Sequence, residues 1–457
     1  MGKAGRTRHA CLLIMHRWFA PLLFLFFASP VPAADLLQVY REALANDPVY
    51  ASARAARDAG LEALPQGLAQ LLPNLSVNNA FTQYNDVDLS FRGAAPDSRR
   101  NGNSNAYAIS LTQPLFNWQS FQTYKEAGFK AAQAEAAFGQ ATQDLIVRVA
   151  QAYFDILASQ DSLTFIQAQK VAISEQLAQA KRNFEVGTAT ITDTHEAQAR
   201  YDLATSQEIA TQSDLEIKKH TLQQITGKFP DKLEPLRPRI DLNTPQPNAM
   251  EEWAAAAASQ SFPVQAQEAS LEIAAREIER NRAGHLPTLN LIGSAGNSSQ
   301  AFSSIGTSSI PSDSFSRSIG LQLSFPIYSG GNVSSLVRQA IANREKAQQD
   351  LESSRRTSAL SARQAYVGVT NGMAQVKALE AALVSSQSAL DSNKLGYEVG
   401  VRINIDVLNA QQQVYSTLRD LSQARYNTII NGLKLKGAAG ALTDGDVQEV
   451  NRLLGTD

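Results

Sequence analysis

The feature that most limits how this chain can fold is that it repeats itself. Phe184-Glu185-Val186-Gly187 returns as Tyr397-Glu398-Val399-Gly400, an offset of 213 residues. Gln151-Ala152-Tyr153 and Gln364-Ala365-Tyr366 share that offset, as do Ala197-Gln198 and Ala410-Gln411. Upstream, Leu72-Pro73-Asn74-Leu75 pairs with Leu286-Pro287-Thr288-Leu289 once a small insertion is allowed. Agreement at so many separated points makes the chain two copies of one unit, residues 35–228 and 249–442. The join, residues 229–248, holds Pro230, Pro235, Pro238, Pro245 and Pro247, a spacing that forbids a helix and favours an extended connector. Residues 443–457 are expected to form a C-terminal tail.

Each copy changes period along its length. Asp47-Pro48 has the form of an N-cap followed by proline at the first helical position, and predicts a helix from there to about Leu71. Beyond Pro73 the pattern shortens to two: Leu75, Val77, Asn79 and Phe81 alternate with small or polar residues, as do Tyr107, Ile109 and Leu111. The second copy shows the same in Leu289 and Leu291, then in Ile319, Leu321, Leu323 and Phe325. Strands are expected at about 75–85, 104–114, 288–298 and 316–326, each with one apolar and one polar face, as in a membrane barrel. Phe116, Trp118, Phe325 and Tyr328 gather where these strands end, as an interfacial aromatic girdle would. A half-buried soluble hairpin explains any one strand equally well.

The period then returns to that of a helix. No proline occurs from Asn117 to Gly187, and apolar residues recur in heptads from Phe138, Leu145 and Ala152 through Ile166, Ile173 and Ala180. This is a coiled-coil pattern, and a helix of that length would run roughly 100 Å. Asn332 to Gly400 repeats it. The shorter helices expected at 48–71 and 191–227 together nearly match the long one and could stack end to end beside it.

Residues 1–34 have the three parts of a secretory signal: Lys3, Arg6, Arg8 and Arg17 with no acid, an apolar stretch Trp18–Phe27, and small residues up to Ala33 and Ala34. Either Met1 or Met15 could be the start. Cleavage there would remove the single cysteine, Cys11, and take the formal charge from −2 to −6. A cysteine-free, mildly acidic exported chain fits the periplasm or outer membrane of a Gram-negative cell, and offers no bulk charge for nucleic acid. No later segment has the 18 or so consecutive apolar residues of a helical membrane span.

Four strands cannot close a barrel, and an open sheet edge in lipid leaves backbone groups unsatisfied at several kcal/mol each. Closure between chains is therefore expected. A dimer would supply eight strands and a filled interior, whereas a trimer would supply twelve and an open lumen. The expected fold class is an α+β membrane protein: a trimeric 12-stranded β-barrel, four strands per chain, continuing into a long coiled-coil α-helical barrel.

The chain resembles the TolC family of outer-membrane efflux and type I secretion channels. The resemblance runs from Asp35-Leu36-Leu37-Gln38-Val39-Tyr40 to about Leu442. It is carried by Ala152-Tyr153-Phe154, Gln167-Ala168-Gln169-Lys170, Gly284-His285-Leu286-Pro287-Thr288-Leu289, Leu323-Ser324-Phe325-Pro326-Ile327-Tyr328-Ser329-Gly330-Gly331 and Ala424-Arg425-Tyr426-Asn427. It implies a homotrimer in outer-membrane lipid that exports drugs, small molecules or proteins, together with a periplasmic adaptor (a membrane fusion protein) and an inner-membrane transporter. It also implies a resting state closed at the periplasmic tip by Thr192, Asp193, Tyr397 and Arg402. Asp193 would accept from the Tyr397 hydroxyl, and Arg402 would reach Thr192 or Asp193 of the next copy. Asp406 matches the first of the family's two aspartate rings at the pore entrance, whereas the second position is Asn409 here. Adaptor docking would fall on Val186, Gly187 and Thr188 and on Val399, Gly400 and Val401.

Taken without the resemblance, Gly187 and Gly400 are helix C-caps, and Asp193 and Asp406 complement helix dipoles. His195 beside Asp193 and Glu196 superficially offers metal ligands, yet a solvated helix face explains them better. No nucleophile elbow, phosphate loop or catalytic cysteine is present, so no catalytic, cofactor or metal site is expected. The competing reading is a periplasmic coiled-coil or adaptor protein without a pore.

Overall fold

A computed structural model describes residues 33–89, 98–230, 232–238, 240–304 and 307–455. The expected export signal, up to residue 32, lies outside the described residues. The first half runs α1 (Leu36–Asn46), α2 (Pro48–Leu61), α3 (Ala63–Ala69), β1 (Asn74–Leu89), β2 (Ser98–Phe116), α4 (Trp118–Glu185) and α5 (Ile191–Thr226). The second runs α6 (Met250–Gln260), α7 (Phe262–Arg282), a 3-10 turn at Ala283–His285, β3 (Thr288–Ser304), β4 (Thr307–Ser324), α8 (Asn332–Glu398) and α9 (Asn404–Ala438). A last helix, α10 (Asp444–Asn451), follows.

Local chemistry sets the boundaries. The Asp47 carboxylate accepts from the backbone N–H groups of Val49 and Tyr50, with Pro48 at the first helical position, so α2 starts where the sequence places it. It does not continue to Leu71. Pro65 has no N–H to offer the Leu61 carbonyl four residues back, and the helix breaks at Glu62 before resuming as α3. Asn117 caps α4, its side chain accepting from Ser120 N at 3.1 Å. The 68 residues of α4 and the 67 of α8 then run uninterrupted, each roughly 100 Å long.

The heptad pattern marks the buried side of α4. Leu145, Ala152, Ser159, Ile166, Ile173 and Ala180 are all buried, and so are Val149, Ile156 and Leu177. Phe184 ends the pattern at the solvent-exposed tip. Both α2 and α5 lie along α4 and meet beside it, where Pro48 and Val49 face Thr221, Gln224 and Ile225 across Arg148 and Gln151. In the second half α9 lies along α8, and α4 also packs on α9, which joins the two halves.

The largest core sits midway along the long helices. Leu36, Val39, Tyr40 and Ala43 of α1 and Val447 and Val450 of α10 cover Leu145, Val149, Tyr153 and Ile156 of α4 and Ile429, Ile430 and Leu433 of α9. Each fully buried Leu, Ile or Val among them contributes about 1.5–3 kcal/mol. Within the expected C-terminal tail, Asp444–Asn451 are thus a docked helix. Thr443 and Asp446 form its capping box, Asn451 Oδ1 accepts from Leu37 N, and the Tyr40 hydroxyl donates to Asp444 at 2.7 Å. The connector is extended and tied down: Ala34 bridges to Leu233, Leu236 bridges to Leu454, and the buried Tyr153 hydroxyl donates to the carbonyl oxygens of Glu234 and Ala34.

The four strands form one antiparallel sheet in the order β1-β2-β3-β4, with β2 and β3 joining the two halves. They span 16, 19, 17 and 18 residues, well beyond the ten or so that the alternation suggested. The added length is Ser-, Asn- and Gly-rich sequence, such as Ser298-Ser299-Gln300 and Asn101-Gly102-Asn103, where pairing with a neighbour holds the strand and side-chain pattern does not signal it. Within the chain β1 and β4 each have one unpaired edge. Phe116, Trp118, Phe325 and Tyr328 are all exposed at the strand-to-helix junctions.

Candidate gate and entrance at the helical tip

At the end away from the sheet, each hairpin closes with the same turn. Val186 N donates to Arg182 O, Gly187 N to Phe184 O and Thr188 N to Asn183 O. The second turn repeats this with Val399 N to Leu395 O, Gly400 N to Tyr397 O and Val401 N to Gly396 O. Gly187 and Gly400 sit at φ 80° and 79°, the left-handed region that a side chain disfavours. Val186, Val399 and Val401 are largely exposed, as is Thr188, so the turns present two equivalent small apolar knuckles.

Within one copy, the tip residues named by the resemblance make local contacts. Asp193, third residue of α5, accepts from Thr190 N at 2.9 Å and Thr190 Oγ1 at 2.8 Å. A capping box is a local solution that closes almost no loop, and both of its bonds to this carboxylate fall on Oδ2. The Tyr397 hydroxyl accepts from Asn183 Nδ2 at 3.1 Å. Arg402, in the bend before α9, has Nη1 3.6 Å from Asp406 Oδ2 in the first turn of that helix, and Thr192 is exposed beside the cap. The Arg402–Asp406 pair is solvent-exposed and worth at most about 1 kcal/mol. Asn409 accepts from Arg200 Nη2 at 2.9 Å, and Arg200 Nη1 reaches Gln412 Oε1 at 2.6 Å.

Behind the tip the two halves meet along a mixed seam. Leu408 of α9 packs with Ile173 and Leu177 of α4 and with Ala197 and Ala204 of α5. On the same face of α9, Asn404 and Gln411 are buried. Asn404 has neither amide atom bonded among the described residues, and Gln411 Oε1 has no partner. Higher on the wall, Tyr426 of α9 donates to Asp161 of α4 at 2.8 Å, and its ring lies 5.5 Å from that of Phe154. Burial lifts the Asp161 carboxyl above its ordinary value, and the Tyr426 and Ser422 hydroxyls with the Arg425 charge act in the opposite direction.

The family model for outer membrane efflux proteins matches residues 39–228 and again 253–441. The chain belongs to the outer membrane efflux protein family. It is 34% identical to the outer membrane protein TolC of Vibrio cholerae over 93% of this chain and 94% of that one. To the alkaline protease secretion protein AprF of Pseudomonas aeruginosa it is 31% identical, over 95% of this chain and 90% of that protein. The crystal structure of the outer membrane protein VceC from Vibrio cholerae superposes with a TM-score of 0.74 at 18% identity, covering 89% of this chain and 96% of VceC. Membership in this efflux family places the protein in the outer membrane as a channel protein, with the long helices extending into the periplasm. Among the described residues no helix is long and apolar enough to cross a membrane, and no group of side chains is arranged to hold a metal ion.

Arg200 and Asn183 are the tip residues that reasoning from sequence missed. Asn183 and Tyr397 lie 214 positions apart, and Arg200 and Asn409 209, so neither spacing nor periodicity signals the contact.

Proposed function

We propose that three copies of this chain form a periplasm-spanning exit duct, passive itself and powered by an inner-membrane transporter acting through a periplasmic adaptor. The observation that carries this reading is the sheet. Its two unpaired edges, β1 and β4, are antiparallel in register with the rest of the sheet, and three such sheets joined edge to edge make twelve strands with no open edge in lipid. A pore-free periplasmic coiled coil would have no use for four long strands carrying exposed Leu75, Val77, Ile319, Leu321 and Leu323. The duct itself carries out no covalent chemistry. Its cargo falls in the class handled by its relatives, one of which is named for secretion of an alkaline protease.

In this reading the tip is the gate. Thr192, Asp193, Tyr397 and Arg402 crowd the two turns, Asp406 and Asn409 line the entrance, and the knuckles at Val186-Gly187-Thr188 and Val399-Gly400-Val401 receive the adaptor. Bonds such as Asn183–Tyr397 and Arg402–Asp406 are individually weak, which suits a contact that must open. Purified protein in a planar lipid bilayer is expected to give discrete conductance steps, and Tyr397→Phe combined with Arg402→Ser is expected to raise the resting conductance. Absence of any conductance would overturn the channel reading. A leak unchanged by the double substitution would overturn the gate assignment while leaving the channel in place.

A further inference from the structure

The entrance holds a charge that no residue-by-residue resemblance supplied. Asp406 and Asn409 stand three residues apart on one stripe of α9, and Arg402 lies in the bend two residues before that helix. The guanidinium of Arg200, from α5 of the other half of the chain, forks onto that stripe: Nη2 donates to Asn409 Oδ1 at 2.9 Å and Nη1 to Gln412 Oε1 at 2.6 Å. Both acceptors are neutral amides, so the positive charge is held in place and left uncompensated by them. Each copy therefore brings two guanidiniums to this stripe, that of Arg200 at Asn409 and that of Arg402 3.6 Å from the carboxylate of Asp406.

We propose that Arg200 is a specificity-determining residue of the entrance, which sets a ring of three fixed positive charges at the level of Asn409 and makes the entrance tolerant of acidic solutes. This rests on the reading that the stripe faces the pore of the assembled trimer. A fixed charge acts over about the Debye length, some 8 Å at physiological salt, which is comparable with the width of a constricted tip. Rings of charged side chains at such a constriction set ion preference. Asn409 is then the natural companion of Arg200: an aspartate in its place would pair with the guanidinium and be neutralised, and would not form a free acidic ring.

The test is the reversal potential of full-length trimers in planar bilayers under a potassium chloride gradient. Arg200→Gln is expected to raise the cation-to-anion permeability ratio at least about twofold. Arg200→Lys, which keeps the charge and loses the fork, should stay near the parent value. Asn409→Asp alone should move the ratio little, whereas Arg200→Gln with Asn409→Asp should move it by more than the two single changes combined. An Asn409→Asp shift as large as that of the double variant would overturn the proposal, because the guanidinium would then not be masking the carboxylate. If Asp406→Asn changes the ratio and Arg200→Gln does not, the proposal fails and the pore-facing stripe stands. If none of these variants changes it, the stripe does not line the pore, and both fail.

Discussion

Replacing Tyr426 by Phe isolates the polar link between the two halves of the chain. The substitution keeps the ring that stacks on Phe154 at 5.5 Å and removes the hydroxyl that donates to Asp161 at 2.8 Å. Both aromatic rings are buried, Tyr426 at 3% exposure and Phe154 at 0%, so water does not readily replace the lost donor. A hydrogen bond to an ionised acceptor is worth about 1.5–3 kcal/mol, and the remaining help from Ser422 and Arg425 puts the expected loss near the lower end, about 1.5 kcal/mol. The effect has a sign in pH. Burial holds the Asp161 carboxyl above its ordinary value, and loss of the hydroxyl raises it further. A group whose pKa is raised in the folded state contributes fully below its unfolded value and loses that contribution as pH rises through the folded one. The penalty should therefore be largest at about pH 8 and smaller at mildly acidic pH, as falling pH carries the Asp161 carboxyl through its raised value and it takes up its own proton. Urea unfolding of detergent-solubilised protein, followed by helical circular dichroism at both pH values, measures it. A penalty under about 0.5 kcal/mol at the higher pH, or one that does not change between them, would refute the assignment of Asp161 as a charge that depends on Tyr426.

Two further outcomes follow from local geometry. Gly187→Val and Gly400→Val should each cost on the order of 1–2 kcal/mol through the left-handed backbone alone, because nothing lies within 4 Å of where a Cβ would stand; hydrogen exchange should quicken at the amides of Thr188 and Ala189 in the first variant, and unchanged exchange there would count against the turn geometry. Asp446 is desolvated by burial, yet the Lys436 ammonium and the Thr443 N–H bring its pKa below the ordinary value, so docking of α10 should persist at neutral pH and weaken only as pH falls through that lowered value. Lys436→Met should move this weakening to higher pH, as followed by the fluorescence of Trp253, which lines the same recess as Lys436 and Asp446.

How much of the molecule was legible in its sequence depended on the range of the forces involved. Heptads from Leu145 to Ala180 marked the buried side of α4, because a face that recurs every turn must find a partner wherever the helix lies. Asp47-Pro48 announced the start of α2 for a reason complete within four residues. The same kind of local reasoning explains the break after Leu61, since Pro65 and the carbonyl it cannot bond are both in view in the sequence. Strand ends were less legible, because the outer parts of β2 and β3 are held by their neighbours and not by their own side chains.

By itself the sequence determined the duplication, the long helices, the alternating strands and the family. Each of these is a repeated or local pattern, with its cause contained in a short stretch of chain. Only the tertiary structure decided which donor meets which acceptor at the tip. Asn183 met Tyr397, and Arg200 crossed between halves to Asn409. Hydrogen bonds reach about 3 Å, and whether two side chains 209 residues apart come within that distance depends on how two long helices are set against each other. No periodicity in either helix carries that information.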